Sequence, residues 1–356
     1  MGLRLAVVAA IAAAALAVAV PARAALPPVK HVWVIVLENK GYDETFGPSS
    51  PATFLARRLP RAGQLLTQYY AIGHASLDNY IAMISGQAPN IETQADCQFY
   101  DEMAPGLAGP DGQAIGQGCV YPAQFKTLAD QLTAKGLTWK GYMEDMGTPC
   151  RHPALNSRDD TQNARPGDQY AVRHNPFVSF HSIIDTPACA AGDVDLSRLT
   201  SDLASSATSP SFAMIVPNLC NDGHDSPCVD GRPGGLVTAD AFLRTWVPRI
   251  LRSRAFSDNG LLMVTFDEAE SGDASACCGE MPGYNTPNPG GPTPGPGGGR
   301  TGAVLVSRFI RPGTINATPY NHYALLRSIE DLFGLDHLGY AGQDGLKAFG
   351  SDVFGR

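Results

Sequence analysis

The sequence predicts an α/β protein in which helices cover both faces of a mostly parallel, doubly wound sheet. Residues 31–37 and 260–266 are nearly continuous apolar runs, which is typical of central strands buried on both faces. Strand-like and helical segments alternate along the chain, as parallel sheets require. We expect a single domain over residues 25–356, with loop or cap insertions.

The other elements follow from hydrophobic spacing and from turn residues. Residues 86–120 and 145–200 lack clear periodicity and are expected to form loops or caps over a site. Residues 282–299 are dominated by glycine and proline and predict a flexible loop without chemistry. The spacing predicts helices over 51–59, 77–85, 124–135, 238–253 and 321–333, and strands over 137–143, 211–216 and 302–307.

The first 24 residues are typical of a signal peptide. Arg4 precedes an apolar run over residues 5–20, and Ala22-Arg23-Ala24 forms a cleavage site. The alternative is an uncleaved anchor, although the run is barely long enough to cross a bilayer. We expect cleavage near Ala24, export to the periplasm or the medium, and no stable membrane insertion, because no later apolar run is long enough.

Charge and cysteine content narrow the function further. Removal of the leader leaves 34 acidic and 24 basic residues and a net charge near −10, without a basic cluster, so nucleic-acid binding is not expected. Eight cysteines in an exported chain indicate up to four disulfides. We favour local pairing of Cys97 with Cys119, Cys150 with Cys189 and Cys220 with Cys228; the adjacent Cys277 and Cys278 could bridge each other or separate partners.

Two of the predicted strands end in adjacent oxygen-bearing side chains. Glu38-Asn39 follows the strand over residues 31–37, and Asp267-Glu268 follows the strand over residues 260–266. In open α/β sheets, ligands bind beyond the carboxyl ends of the strands. Either pair alone could be a polar turn, but together they look like two halves of a metal site.

Ser76 lies between these pairs, immediately before a predicted amphipathic helix. A serine at this position is most often an N-cap whose oxygen accepts a backbone N–H bond. A helix start also offers free N–H groups and partial positive charge to a phosphate, so Ser76 could instead be a nucleophile. Local sequence leaves both interpretations open.

Five short motifs occur in order along the chain: Leu37-Glu38-Asn39-Lys40, Ser76-Leu77-Asp78-Asn79-Tyr80, Arg173-His174-Asn175-Pro176-Phe177, Asn221-Asp222-Gly223-His224-Asp225 and Thr265-Phe266-Asp267-Glu268. Together they resemble the bacterial phosphoesterase family of phospholipases C and secreted acid phosphatases, within the alkaline-phosphatase-like superfamily. The resemblance covers nearly the whole mature chain.

The resemblance implies a role for each matched position. Ser76 matches the nucleophile, and His174 and His224 match histidines that face the phosphoryl group. Asn79 matches a residue that contacts phosphate oxygens in related phosphodiesterases; Asn39 and His74 are further substrate-binding candidates. The implied metal ligands are Glu38, Asn39, Ser76, Asp267 and Glu268.

Departures from the family pattern favour one metal ion over two. Cys220 stands four residues before His224, where two-metal relatives have aspartate, and the later pair is Asp-Glu in place of Asp-His. Oxygen ligands suit Ca²⁺, Mg²⁺ or Mn²⁺, while superfamily relatives also use Zn²⁺ and Fe. We therefore expect one divalent ion of unassigned identity.

The expected activity is hydrolysis of phosphoric esters, first as an acid-phosphatase-like phosphomonoesterase with a phosphoserine intermediate. A phospholipase C or another phosphodiesterase is the alternative, because it would share the nucleophile and the metal. An exported metal-binding protein without catalysis is the third reading. The expected partner is a phosphate-ester substrate, and the sequence does not indicate an oligomeric state.

Overall fold

One eight-stranded sheet organises the computed structural model, which describes residues 26–355. Its order is β13-β2-β12-β11-β1-β10-β7-β9, and three two-stranded pairs, β3 with β14, β4 with β8 and β5 with β6, lie outside it. The strands are β1 His31–Leu37, β2 Gln64–Leu66, β3 Tyr69–Tyr70, β4 Phe99–Tyr100, β5 Ala104–Ala108, β6 Ala114–Gln117, β7 Trp139–Met143, β8 Ser157–Arg158, β9 Asp193–Asp195, β10 Phe212–Val216, β11 Gly260–Phe266, β12 Ala303–Ser307, β13 Thr314–Asn316 and β14 Tyr320–Asn321.

The sheet is mostly parallel, as predicted. Strand β1 pairs in parallel with β10 on one side and with β11 on the other, and β7 and β9 continue in the same direction. Only β12 is reversed among these eight strands, because it is antiparallel to both β11 and β2. The carboxyl ends of β1, β10 and β11 therefore meet at one edge.

Strand β1 is central because both of its faces are apolar. Val32, Val34 and Val36 pack into the core on one face, while Trp33 and Ile35 belong to the core on the other. All seven residues of the strand are buried. This double burial explains the unbroken apolar run in the sequence.

Helices cover both faces. Helices α3, α4 and α10 pack on the face of Val34, and α8 with the π-helical turn Phe54–Arg58 packs on the face of Ile35. The α-helices are α1 Tyr42–Phe46, α2 Leu59–Ala62, α3 Ser76–Ser85, α4 Leu128–Ala134, α5 His181–Ile184, α6 Pro187–Gly192, α7 Leu199–Asp202, α8 Gly235–Arg252, α9 Arg254–Asn259 and α10 His322–Phe333. The 3₁₀ turns are Thr93–Ala95, Pro110–Gly112, Val172–His174, Pro176–Ser179, Leu196–Arg198 and Gly339–Gly342.

The predicted helix over residues 124–135 starts later than expected, at Leu128. Thr127 is its N-cap: the hydroxyl accepts the Asp130 N–H, and the Asp130 carboxylate accepts the Thr127 N–H. This capping box ends the preceding loop at Thr127. The helix predicted over residues 51–59 is instead a π-helical turn, Phe54–Arg58, that continues into α2.

The aperiodic segments contain short strands and helical turns rather than structureless loops. The three predicted local disulfides are present, and Cys277 is bonded to Cys278. The predicted signal peptide lies outside the described residues. Within residues 26–355, no helix combines the length and the apolar character needed to cross a bilayer.

We expect Ile35→Ala to lower the free energy of unfolding by about 3 kcal/mol, because it leaves a cavity in the middle of β1. Urea denaturation followed by circular dichroism measures this change. Ile315→Ala is the control: Ile315 is 72% exposed on the edge strand β13, and its loss should cost less than about 0.5 kcal/mol. Equal effects in the two variants would contradict the central position of β1.

Candidate active site

Three neighbouring parallel strands deliver carboxylates to one edge of the sheet. Glu38 follows β1, Asp267 follows β11, and Asp222 lies in the loop after β10. Backbone hydrogen bonds join these ends: the Glu38 N–H donates to the Asp222 carbonyl at 2.9 Å, and the Asp267 N–H donates to the Leu37 carbonyl at 2.8 Å. All three carboxylates are buried.

Two hydroxyl groups of helix α3 donate hydrogen bonds to the Glu38 carboxylate. Ser76 Oγ donates to Glu38 Oε2 at 2.8 Å, and Tyr80 Oη donates to Oε1 at 2.6 Å. The two donors are four residues apart and so lie on one face of the helix. Ala75, not Ser76, occupies the N-cap position, and it makes no side-chain cap bond. The N-cap interpretation of Ser76 is therefore wrong.

The cluster holds more negative charge than the groups around it offset. Burial, and then the charge of Asp267, raises the pKa of Glu38 well above its usual range. Burial followed by a neighbouring carboxylate has the same effect on the pKa values of Asp222, Asp267 and Glu268. Among residues 26–355, no lysine or arginine forms an ion pair with Glu38, Asp222 or Asp267. A cation at this edge would relieve the repulsion.

Glu268 is hydrogen-bonded through both oxygens. Oε1 accepts the Asn39 side-chain N–H at 2.7 Å, and Oε2 lies 2.7 Å from His74 Nδ1. The other ring nitrogen of His74 faces the Asp273 carbonyl at 2.7 Å and must donate to it, so one proton is shared between His74 and Glu268. Burial lowers the pKa of His74 and raises that of Glu268. Both ring nitrogens of His74 are thus occupied.

The two candidate histidines lie in different places. His174 is buried behind the pocket, stacked on Tyr80, with Nε2 at 3.4 Å from Glu38 Oε1 and Nδ1 at 3.8 Å from Asp222 Oδ2. Burial lowers its pKa well below the usual range, so the ring is neutral. His224 lines the pocket, and a hydrogen bond to Asp225 at 3.0 Å raises its pKa. Only His224 faces the pocket.

Asn79 does not face the pocket either. Its carbonyl oxygen accepts the N–H groups of Ile72 and Gly73, and its amide group donates to the carbonyls of Gly73 and Ala75. These four bonds hold the loop before α3 and occupy both donors of the Asn79 amide; the contact of Asn79 with a phosphate oxygen stays a prediction. Asp78 is buried with neither carboxylate oxygen hydrogen-bonded, and burial raises its pKa.

A pocket of about 340 Å³ opens above Ser76. Residues from the aperiodic segments form part of its wall, as their predicted capping role requires, and the Gly/Pro segment 282–299 contributes Pro292 but no polar side chain. A larger cleft of about 680 Å³ lies beside Cys278 and His337 and shares no lining residue with this pocket. The wall above Ser76 comprises Asn39, His74, Ala75, Gln94, Ala95, Asp96, Gln98, Arg173, His224, Glu268 and Pro292.

Buried side-chain atoms without a hydrogen-bond partner indicate whether the cluster suits a metal ion. Asp267 Oδ2, Asp222 Oδ2 and His174 Nε2 are buried without a hydrogen-bond partner. Such atoms, next to Glu38, provide the oxygen and nitrogen ligands that a divalent ion accepts. Within residues 26–355, three or more candidate ligand atoms converge within 4.8 Å only at two disulfide-bonded cysteine pairs, so the carboxylates at this edge are more widely spaced. The atoms are of the type that a divalent ion accepts, and Asp222 joins the sequence-predicted carboxylates as a candidate ligand.

Most of the chain matches the model of a known family. Residues 50–336 match the model of the Phosphoesterase family. The chain belongs to that family.

Relatives of this phosphoesterase include phosphatases. It is 24% identical to a probable acid phosphatase of Kluyveromyces lactis, over 87% of this chain and 59% of the yeast protein. It is 26% identical to a phosphatidylinositol-3-phosphatase of Mycobacterium tuberculosis, over 90% of this chain and 82% of that protein. The chain spans less than two thirds of the length of the yeast relative.

The fold is shared with a protein of the alkaline phosphatase superfamily from Vibrio parahaemolyticus. The TM-score is 0.52 at 13% identity, over 93% of this chain and 73% of that chain. The predicted alkaline-phosphatase-like architecture is therefore confirmed.

Four residues that contact this cluster or line the pocket were not assigned a role from the sequence. Tyr80, Arg173 and Asp222 lie inside the motifs listed above, next to residues that were assigned roles, so their polar character was the available signal. Asp96 lies in an aperiodic loop, and no pattern marks it. Its Oδ1 accepts the Leu77 N–H at 3.0 Å at the start of α3.

We expect Asp225→Asn to lower the pKa of His224, because the hydrogen bond to Asp225 is the main cause of its elevation. Glu38 and Asp222 also favour the imidazolium, so the loss is partial. Since a raised pKa keeps the ring protonated to higher pH, the variant should lose that proton at lower pH.

An NMR titration of the His224 ring, assigned with His224→Gln, measures this shift. Asp43→Asn is the control, because the exposed Asp43 pairs with Arg300 and should leave the titration unchanged. An unshifted His224 titration in Asp225→Asn would rule out Asp225 as the cause.

Proposed function

We propose that this protein is an exported, metal-dependent hydrolase of phosphate monoesters that forms a phosphoserine on Ser76. The observation that carries the proposal is the position of Ser76 Oγ: it lies at the first turn of α3, 2.8 Å from a buried carboxylate oxygen, and it lines the pocket. A serine in this position has a proton acceptor on one side and helix N–H groups for phosphoryl oxygens on the other.

These contacts support attack by Ser76 on phosphorus. Glu38 Oε2 accepts the hydroxyl hydrogen bond and lies in position to take the proton as the Oγ–P bond forms. Tyr80 holds the other carboxylate oxygen and so fixes the acceptor. The Arg173 guanidinium and the N–H groups of α3 face the negative charge of the phosphoryl oxygens.

His224 is the group suited to protonate the leaving oxygen as the ester P–O bond breaks. It lies on the pocket wall, and Asp225 keeps its pKa raised, so the imidazolium is present at mildly acidic pH. The neutral imidazole can then accept a proton from the water that hydrolyses the phosphoserine. His174 is buried beside Glu38 and Asp222, and its unpaired Nε2 is a further candidate to hold the metal ion.

Glu38, Asp222, Asp267 and Asn39 would hold the metal ion, with Ser76 beside them. A bound divalent cation supplies a lower pKa for the serine hydroxyl and offsets charge on phosphoryl oxygens. Glu268 is a further candidate ligand, and its hydrogen bonds to Asn39 and His74 fix the orientation of these three side chains. Export is proposed from the leader sequence and agrees with the four disulfides.

A panel of phosphate esters on purified protein tests the activity, with metal content measured in the same sample. We expect turnover of p-nitrophenyl phosphate to exceed that of bis-p-nitrophenyl phosphate and phosphatidylcholine. Faster turnover of the two diesters would replace the proposal with a phosphodiesterase or a phospholipase C. Ser76→Ala should lower kcat by at least about 10³-fold, since the nucleophile is removed, while inorganic phosphate still binds.

Ser85→Ala is the matched control, because Ser85 lies in the last turn of the same helix and donates to the Ile81 carbonyl, far along α3 from Ser76. Its kcat should stay near that of the unsubstituted protein. Near-normal turnover of Ser76→Ala would remove the nucleophile assignment.

We also expect chelation with EDTA to lower the Tm by several degrees and to abolish turnover, with recovery of both on adding a divalent metal. The physical reason is that an ion bound to the folded chain offsets the repulsion among buried carboxylates and so favours the folded state. Differential scanning calorimetry measures the Tm. Asp267→Asn should respond less to EDTA, because one ligand and one charge are gone. An identical Tm with and without EDTA would count against a metal site.

A further inference from the structure

The Asp96 carboxylate lies at the start of α3, in the position that the proposed mechanism gives to a phosphoryl oxygen. Oδ1 accepts the Leu77 N–H at the start of α3 at 3.0 Å, and Oδ2 lies 3.9 Å from Nε of Arg173. Arg173 lines the pocket, and the Leu77 N–H belongs to the residue that follows Ser76 in the first turn of α3. The N-terminal N–H groups of a helix and an arginine are the protein groups that most readily bind phosphate. The Asp96 carboxylate therefore already accepts a hydrogen bond from the Leu77 N–H and pairs with Arg173.

The backbone around Asp96 is fixed, while its side chain lines the pocket and is 25% exposed. The Asp96 N–H donates to the Thr93 carbonyl, and the Asp96 carbonyl accepts from the Gln162 side chain at 2.8 Å. Asp96 and Cys97 both have left-handed φ values, 53° and 48°, and Cys97 is bonded to Cys119. Left-handed conformations of non-glycine residues persist where the surrounding structure holds them. Rotation of the Asp96 side chain alone would release the Leu77 N–H.

We propose that the Asp96 carboxylate occupies the phosphate position when no substrate is bound. It releases the Leu77 N–H and Arg173 when the substrate binds, and it contacts them again as inorganic phosphate leaves. This inference rests on the proposed function, because it assigns a regulatory role within the same pocket. Its consequence is weak product inhibition, since an anion fixed to the protein competes with the product for the same donors.

The repulsion between Asp96 and a bound phosphate gives the expected size of the effect. Two like charges a few ångströms apart near a protein surface interact strongly enough to change an equilibrium constant by about tenfold or more. Asp96→Asn removes this charge but keeps the shape and an oxygen acceptor for the Leu77 N–H. The amide can still satisfy α3 when the pocket is free, and it is displaced more easily.

The experiment measures the dissociation constant of inorganic phosphate by isothermal titration calorimetry on the full-length, metal-loaded protein at pH 7. The inhibition constant of phosphate in p-nitrophenyl phosphate hydrolysis gives a second measurement. We expect Asp96→Asn to bind phosphate about tenfold more tightly than the unsubstituted protein, with a lower kcat because product release is slower. Asp96→Ala should act in the same direction, and the asparagine variant carries the test if the alanine variant fails to fold.

Glu92→Gln is the matched control, because it removes one negative charge from the same loop but does not line the pocket. Its phosphate dissociation constant should stay within about twofold of the original, as expected for a screened surface charge. Unchanged or weaker phosphate binding in Asp96→Asn overturns the proposal. A lower kcat with unchanged phosphate affinity also overturns it and would assign Asp96 to the chemistry or to substrate positioning.

The calorimetric readout separates this proposal from the proposed function. If the unsubstituted protein hydrolyses no phosphate ester, the proposed function fails, while phosphate binding to Asp96→Asn still tests the competition. If esters are hydrolysed and Asp96→Asn binds phosphate no more tightly than the unsubstituted protein, the proposed function is supported and the proposed role of Asp96 is wrong.

Discussion

Burial of three carboxylates at the ends of neighbouring parallel strands is the constraint on which the site depends. The register of β1 beside β11 brings Glu38 and Asp267 to one edge, and the loop after β10 adds Asp222; all three carboxylates are buried. Unpaired charges in such a place are expensive, and their raised pKa values express that cost. A protein that keeps them there needs donors and a cation nearby, and the surrounding groups follow from this need.

Helix α3 supplies the donors, and its sequence explains how. Ser76 and Tyr80 are one helical turn apart, so both hydroxyls meet the two oxygens of the same carboxylate. Asn79, between them in sequence, points to the other side and closes the loop before the helix with four hydrogen bonds. The residues of this motif therefore make two kinds of contact. Ser76 and Tyr80 bind the Glu38 carboxylate, and Asn79 holds the loop before the helix in the position that allows this.

Sequence patterns were sufficient for the five longest of the sheet's eight strands and for the position of Glu38 and Asp267 at strand ends, but not for the three-residue strands β2, β9 and β13. The runs ending at Glu38 and Asp267 were recognisable because central parallel strands are apolar on both faces, which gives a signal independent of the rest of the chain. Asp222 was not assigned, because it lies several residues beyond the end of β10, in a loop whose path the sequence does not reveal. The sequence also did not reveal that Asn79 and His174 lie outside the pocket lining, because their orientation depends on how α3 and the Val172–His174 turn pack.

The charge distribution around Ser76 explains why Asp96 is best understood through competition. Arg173 and a protonated His224 are the positive side chains of the pocket wall, whereas Asp96 and Glu268 are acidic. A dianionic phosphate would therefore bind weakly unless a metal ion and the helix N–H groups contribute, and Asp96 already uses the Leu77 N–H. For a hydrolase whose product is itself an anion, weak ground-state binding is useful: interactions that form fully only in the transition state raise kcat, while tight binding of phosphate would slow its release. A carboxylate that occupies the helix start between turnovers meets that requirement without any further residue.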